Sequence, residues 1–293
     1  MMFLVRVPLC RRIRGVSSSR WGARRGWLPY VLSVLLGITT TSGLAVAQEK
    51  TGNPSIEPNP SYDGRFTFAR LRYGEDPKAL CTGFVGNSRG AAGWQHDYPE
   101  GERDLLHIMS DVTTLNAWTD SSAAFRTDDP QLMRYPILYL TEPACWHPSE
   151  SEVQGLRTYL LKGGFLIVDD FAIGSGGAER YAKSRRVFEE EMRRVLPNCK
   201  FVPLALTDPA LNGFFRLNPE ALTKELQRAS DLPLQVIGIY EEDDPKKRLL
   251  VVANYNTAIH RSWVWEAEGL TSVQAGNEAY KLGVNYLLYG LSH

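Results

Sequence analysis

Between Pro136 and Phe171 three hydrophobic patterns follow one another. Ile137–Thr141 is a short, nearly continuous apolar run and reads as a buried strand. Ser149 and Glu152 stand at capping-box spacing, and Val153, Leu156 and Leu160 then repeat along one helical face. Gly163-Gly164 supplies a left-handed stop, and Phe165–Val168 opens a second apolar strand. A strand–helix–strand unit of this length predicts parallel pairing with a right-handed crossover.

The same patterning places further elements on both sides. FTFARLRY at Phe66–Tyr73 alternates as a strand, and Leu105, Leu106, Met109 and Val112 predict a helix over about 99–113 with Pro99 in its first turn. Arg186–Leu196 reads as a helix stopped by Pro197, with glutamates early and arginines late as a helix dipole favours. Phe201–Leu204 predicts a strand and Pro219–Ala229 a helix. Residues 233–256 predict two strands joined through an acidic Asp243-Asp244-Pro245-Lys246 turn, and an amphipathic helix closes the chain from Asn277. The sum is an α/β class: a three-layer fold with a mostly parallel sheet flanked by helices, forming a single domain over 64–293.

The first 47 residues follow another logic. They hold seven arginines and no acid, then an apolar stretch at Leu28–Thr40 and small residues at Ala45-Val46-Ala47. That is the three-part plan of an export signal. ARRGWLP at Ala23–Pro29 resembles a twin-arginine signal, so a periplasmic or extracellular domain is expected, with retention as an uncleaved anchor the alternative. Residues 48–63, broken by Pro54, Pro58 and Pro60, read as a linker. The remaining 246 residues carry 26 basic and 33 acidic groups, a formal charge of −7, which gives no electrostatic case for nucleic acid. No transmembrane segment is expected in the mature domain. Cys81, Cys145 and Cys199 permit one disulfide at most, and their spacing identifies no pair.

In open parallel sheets the loops after the strands line the ligand crevice. Reading each strand forward brings Glu142, Cys145 and His147, then Asp169 and Asp170, then Asn254, Asn256 and His260, and the Gly174–Gly177 turn to that edge. Asp169-Asp170 is the sharpest feature. If both stay in the strand, period two sends them to opposite faces; at a strand end, one faces the crevice while the other caps a loop or binds an arginine. His96-Asp97 offers either metal ligands with a third partner such as Asp170 or His260, or a structural helix entrance in which Asp97 accepts backbone hydrogen bonds. Cys145 beside His147 lacks the glycine-flanked elbow of a nucleophile, and a half-buried free thiol is the expectation. Gly174–Gly177 matches neither a P-loop nor a dinucleotide fingerprint, so no cofactor is assigned. Trp94, Trp146, Trp263 and Trp265 fall near these loops and serve either as platforms for a sugar or peptide or as core.

FTFARLRY, WQHDYP, MRYPILYLTE, SESEVQGLRTYLLKGGFLIVDDF, FEEEMRRVLP and YKLGVNYLLYGLSH, in that order, resemble the bacterial family called domain of unknown function 4159 across about residues 64–293. The resemblance implies a flavodoxin-like sandwich similar to the class I glutamine-amidotransferase-like group. It does not imply amidotransferase activity, because the cysteine–histidine–glutamate set has no match here. The leading expectation is a noncatalytic exported module binding a small molecule, glycan or envelope protein. The alternative is a hydrolase, metal-assisted or not, using Asp169 or Asp170 with His96, His147 or His260.

Overall fold

Strands form where apolar side chains serve two faces at once. Every residue of β3 (Ile137–Thr141) and β4 (Phe165–Asp169) is buried, the signature of parallel strands covered on both sides. Leu138, Leu140, Leu166 and Val168 enter one core, while Ile137, Tyr139, Phe165 and Ile167 enter the other. That division is the period-two alternation of a strand.

The computed structural model describes residues 58–74, 93–171, 177–227, 232–267, 269 and 271–293. The expected signal at 1–47, most of the linker, Cys81 and Gly174–Gly176 lie outside these residues. Residues Thr51–His293 group as one compact unit. The remaining elements, in chain order, are β1 (Ala69–Leu71), α1 (Glu100–Val112), β2 (Ala123–Phe125), then α2 (Glu150–Leu161) between β3 and β4. After β4 come α3 (Gly177–Val195), β5 (Val202–Pro203), α4 (Pro209–Asn212), α5 (Pro219–Leu226), β6 (Gln235–Tyr240), β7 (Leu249–Tyr255), α6 (Ile259–Ala267) and α7 (Val273–Ser292).

The seven strands form one sheet in the order β2-β1-β3-β4-β7-β6-β5. β1, β2, β3, β4 and β7 run parallel, whereas β6 pairs antiparallel to β7 and β5 antiparallel to β6. α2 and α3 cover one face; α1, α4, α5, α6 and α7 cover the other. The architecture is therefore a three-layer α/β fold with a mixed, mostly parallel sheet. Among the described residues no helix is long and apolar enough to cross a membrane.

The β3–α2–β4 unit follows its sequence closely: Ser149 and Glu152 close a capping box, and β3 pairs parallel with β4 from Ile137↔Phe165 to Thr141↔Asp169. Elsewhere the structure departs from the reading. α3 begins at Gly177 rather than Arg186, because Tyr181 and Ser184 continue the buried stripe of Phe188 and Met192 through a polar-looking stretch. α7 begins at Val273 rather than Asn277, where the Ser272 hydroxyl accepts from the Ala275 N–H. Gly283 lets α7 approach its neighbours: a Cβ there would lie 2.9 Å from both Leu105 and Trp263. α6, which the sequence reading did not anticipate, is held by Trp263, whose indole N–H donates to the Ala279 carbonyl of α7. Trp94, Trp146 and Trp263 are buried core residues and not platforms.

Candidate functional site

Four loop regions meet beyond the carboxyl ends of β1, β3, β4 and β7. His96 and Asp97 lie between β1 and α1, Glu142 follows β3, Asp169 and Asp170 end β4, and His260 sits in the first turn of α6 just after β7. The chain leaves β1 for β2 on one side and then crosses to β3 on the other. Such a switch in direction is where open α/β sheets form their crevice. Asp97, Glu142 and Asp170 all adopt left-handed backbone, with φ of 53°, 48° and 53°. Non-glycine residues pay for that conformation, and it clusters at functional sites.

The left-handed turn also resolves the Asp169-Asp170 geometry. β4 ends at Asp169, so Asp170 is not forced to the opposite face. Asp169 Oδ2 accepts from the Tyr139 hydroxyl at 2.8 Å and from the His260 backbone N–H at 3.2 Å, and lies 3.1 Å from His260 Nδ1. Asp170 Oδ2 lies 4.0 Å from His260 Nε2, 3.5 Å from His96 Nδ1 and 3.6 Å from Arg261 Nε.

The two histidines are arranged alike. His96 Nδ1 meets Glu142 Oε1 at 2.9 Å and His260 Nδ1 meets Asp169 Oδ2 at 3.1 Å. A carboxylate only accepts, so each Nδ1 carries the hydrogen, and a neutral ring keeps its lone pair on Nε2. Both Nε2 atoms then face one oxygen: Asp97 Oδ2 lies 3.6 Å from that of His96 and 3.3 Å from that of His260. Asp97 Oδ2, Asp170 Oδ2 and His260 Nε2 are buried without a hydrogen-bond partner. His96, Asp97 and His260 can together hold a metal ion, as can His96, Glu142 and Asp170. The side chains of Asp97 and Arg261, 19% and 22% exposed, form the open side; His260 is fully buried.

A buried scaffold sets this geometry. Arg70, fully buried on β1, pairs with Glu102 of α1 at 2.6 Å and donates to the Trp94 and His96 carbonyls. The Tyr73 hydroxyl donates to the Thr141 and Glu142 carbonyls. Gly93 has no room for a side chain, since a Cβ would fall 2.9 Å from both Glu142 Oε2 and the Tyr73 hydroxyl. The sequence reading missed Arg70, Glu102, Tyr139 and Arg261. One signal was present: Arg70 stands two positions after Phe68, on the same inward face of its strand.

The site is rich in negative charge, with Asp97, Glu142, Asp169 and Asp170 facing two imidazoles and Arg261. Burial opposes a charged His96, but the Asp170 carboxylate 3.5 Å away, the hydrogen-bonded Glu142 and the Asp97 charge outweigh it, raising its pKa from 6.5 to about 9. Burial likewise opposes charge on Asp97, yet the close approach and charge of His260, with His96 and Arg261, hold it at about 2. His260 is raised against its burial by Asp169, Asp97 and Asp170. Asp170 is lowered against its burial by His96, Arg261 and His260. Because the folded His96 pKa lies above the unfolded one, its stabilisation is complete below pH 6.5 and lost as pH rises through about 9. Chelator-treated protein is therefore expected to lose on the order of 3 kcal/mol from this group across that window, measured by urea melts.

The other sequence candidates are placed elsewhere. His147 is exposed and lies 3.4 Å from Glu191 of α3, so it does not join His260 and Asp170. Cys145 is disulfide-bonded, which removes the free thiol expected there; Cys199 is free and half-buried. Asp97 is not the N-cap of α1, which is Pro99 without a side-chain bond, but its backbone carbonyl accepts from the Gly101 N–H at the helix entrance at 3.0 Å. His260 is helical and not in a loop. Asn256 donates to the Leu232 carbonyl and Asn254 accepts from the Tyr286 hydroxyl. Gly177 opens α3.

The family described as "Domain of unknown function (DUF4159)" matches residues 67–291. No curated protein matches the chain.

Proposed function

Because the chain belongs to the DUF4159 family, whose description names no activity, we propose a function from the chemistry of the site: a metal-dependent hydrolase in which His96, Asp97 and His260 hold a divalent transition-metal ion. The observation that carries it is the shared aim of two imidazole Nε2 atoms at one partnerless carboxylate oxygen, with each Nδ1 held by another carboxylate. Carboxylate–histidine pairs of this kind fix the ring and its tautomer for metal binding. Tetrahedral ligand bonds of about 2.0–2.2 Å place neighbouring ligand atoms roughly 3.3–3.6 Å apart, the range of the 3.3 and 3.6 Å seen here. Mixed imidazole and carboxylate donors suit zinc, iron or manganese. Three protein ligands leave a coordination position open, as catalytic sites do.

A bound ion would polarise a carbonyl or phosphoryl oxygen and acidify water at the open position. Asp170 is placed to orient that water as a hydrogen-bond acceptor: its Oδ2 lies beside His260, and its carboxyl is kept ionised by His96 and Arg261. The converging ligand atoms favour this reading over a noncatalytic ligand-binding module. The finer likeness to flavodoxin-like and amidotransferase-like sandwiches belongs to the same proposal, supported by five parallel strands between helical layers. Glutaminase chemistry is not part of it, since Cys145 has no thiolate to offer. The disulfide also supports export to an oxidising compartment by way of residues 1–47.

Untagged protein is expected to retain a divalent transition metal by elemental analysis and to hydrolyse members of a panel of esters, amides and phosphoesters. Asp170→Asn keeps the left-handed turn and should keep the metal while lowering kcat by about 100-fold or more. Metal retention with no turnover anywhere in the panel would return the site to ligand binding. Absence of metal affinity would remove the proposal.

A further inference from the structure

Behind His260 three adjacent parallel strands bring buried polar side chains into one row. Thr141 on β3 pairs with Asp169 on β4, and Val168 pairs with Ala253, so Asn254 on β7 is the rung beside Asp169. Tyr139, Ile167 and Val252, two residues earlier on each strand, belong to the core beneath α1, α6 and α7. Alternation turns Thr141, Asp169 and Asn254 to that same face. All three are fully buried.

Each has one bare polar atom. Thr141 Oγ1, Asp169 Oδ1 and Asn254 Nδ2 have no hydrogen-bond partner. The opposite ends are engaged: Asp169 Oδ2 accepts from Tyr139 and His260, and Asn254 Oδ1 accepts from the Tyr286 hydroxyl at 2.6 Å. An unmet buried carboxylate oxygen beside an unmet amide donor is a costly arrangement that native interiors rarely keep. The two needs are complementary through one intermediary. A water molecule can accept from Asn254 Nδ2, donate to Asp169 Oδ1 and make a third bond to Thr141 Oγ1, about the three bonds typical of buried water.

We propose that this row is a binding site for a resident water molecule and that Asn254 is a positioning residue acting through it. The water completes the acceptor shell of Asp169, whose other oxygen fixes the His260 ring. Its consequence for metal binding rests on the metal-centre reading; the water site itself does not.

Two measurements separate these parts. A high-resolution crystal structure is expected to show water within hydrogen-bond distance of Thr141, Asp169 and Asn254; a direct Asn254–Asp169 bond with no water would overturn the proposal. For the functional consequence, Asn254→Leu fills the site with hydrocarbon and should weaken Co(II) binding about tenfold and change the Co(II) absorption spectrum. Asn254→Ser leaves room for a second water and should stay within about threefold of the parent. Equal affinity and spectrum in Asn254→Leu would refute the positioning role. Should circular dichroism show that variant unfolded, Thr141→Val, which removes one bond to the water and keeps the shape, takes its place. Ordered water in a protein that binds no Co(II) would sink the metal reading and the positioning role while leaving the water site; Co(II) binding with no water would sink only this inference.

Discussion

Asp97→Asn is expected to weaken binding of Zn(II) or Co(II) by at least about 100-fold, because residues that merely orient ligands are already worth 10–100-fold and Asp97 is itself a ligand. Both imidazole Nε2 atoms face its Oδ2. Asparagine tolerates the left-handed backbone that Asp97 adopts, so the substitution removes charge with little change of shape. The side chain is also partly exposed and contributes no apolar burial. Near-UV circular dichroism of the metal-free variant should therefore match the parent, while isothermal titration shows the loss. The parent should bind metal more tightly as pH rises from 6.5 to 9, since the ion displaces the proton that His96 holds. Unaltered affinity in Asp97→Asn would move the ion away from this trio, with the His96, Glu142 and Asp170 group the next to examine.

Glu102→Gln should destabilise the fold by about 3–5 kcal/mol, the cost of leaving a buried charge without its partner. Arg70 and Glu102 are almost wholly inaccessible, with side chains 0% and 1% exposed, and their contact at 2.6 Å lies beneath the site. The same guanidinium donates to the Trp94 and His96 carbonyls, so the pair also positions the His96 segment. Replacing both partners, as Arg70→Met with Glu102→Leu, removes the uncompensated charge and should recover much of the stability in urea melts. Metal affinity should not recover, because those carbonyls then have no donor. If the double variant binds metal like the parent, Arg70 serves the fold alone.

The sequence by itself determined the local elements whose cause is local. Ser149, Glu152, the Val153–Leu156–Leu160 stripe and Gly163 lie within a few turns of one another, and α2 with its flanking strands formed as read. The hairpin of β6 and β7 was legible for the same reason. Asp169 and Asp170 were nameable because a buried strand ends on them, and His96, Asp97 and His260 because ligand-type residues stand in segments that connect strands to helices. What tertiary structure decided was which of them meet. His96 reaches Glu142 across 46 residues and His260 reaches Asp169 across 91, distances closed by strand order and not by any repeat in the chain. α6, nine residues long, carries His260 inward because Trp263, on the same helical face, anchors it to α7. His147, equally close to a strand end in sequence, lies exposed against α3. Hydrophobic periodicity fixes an element and its buried face; the convergence of its ends depends on how the whole sheet is ordered, which no local window contains.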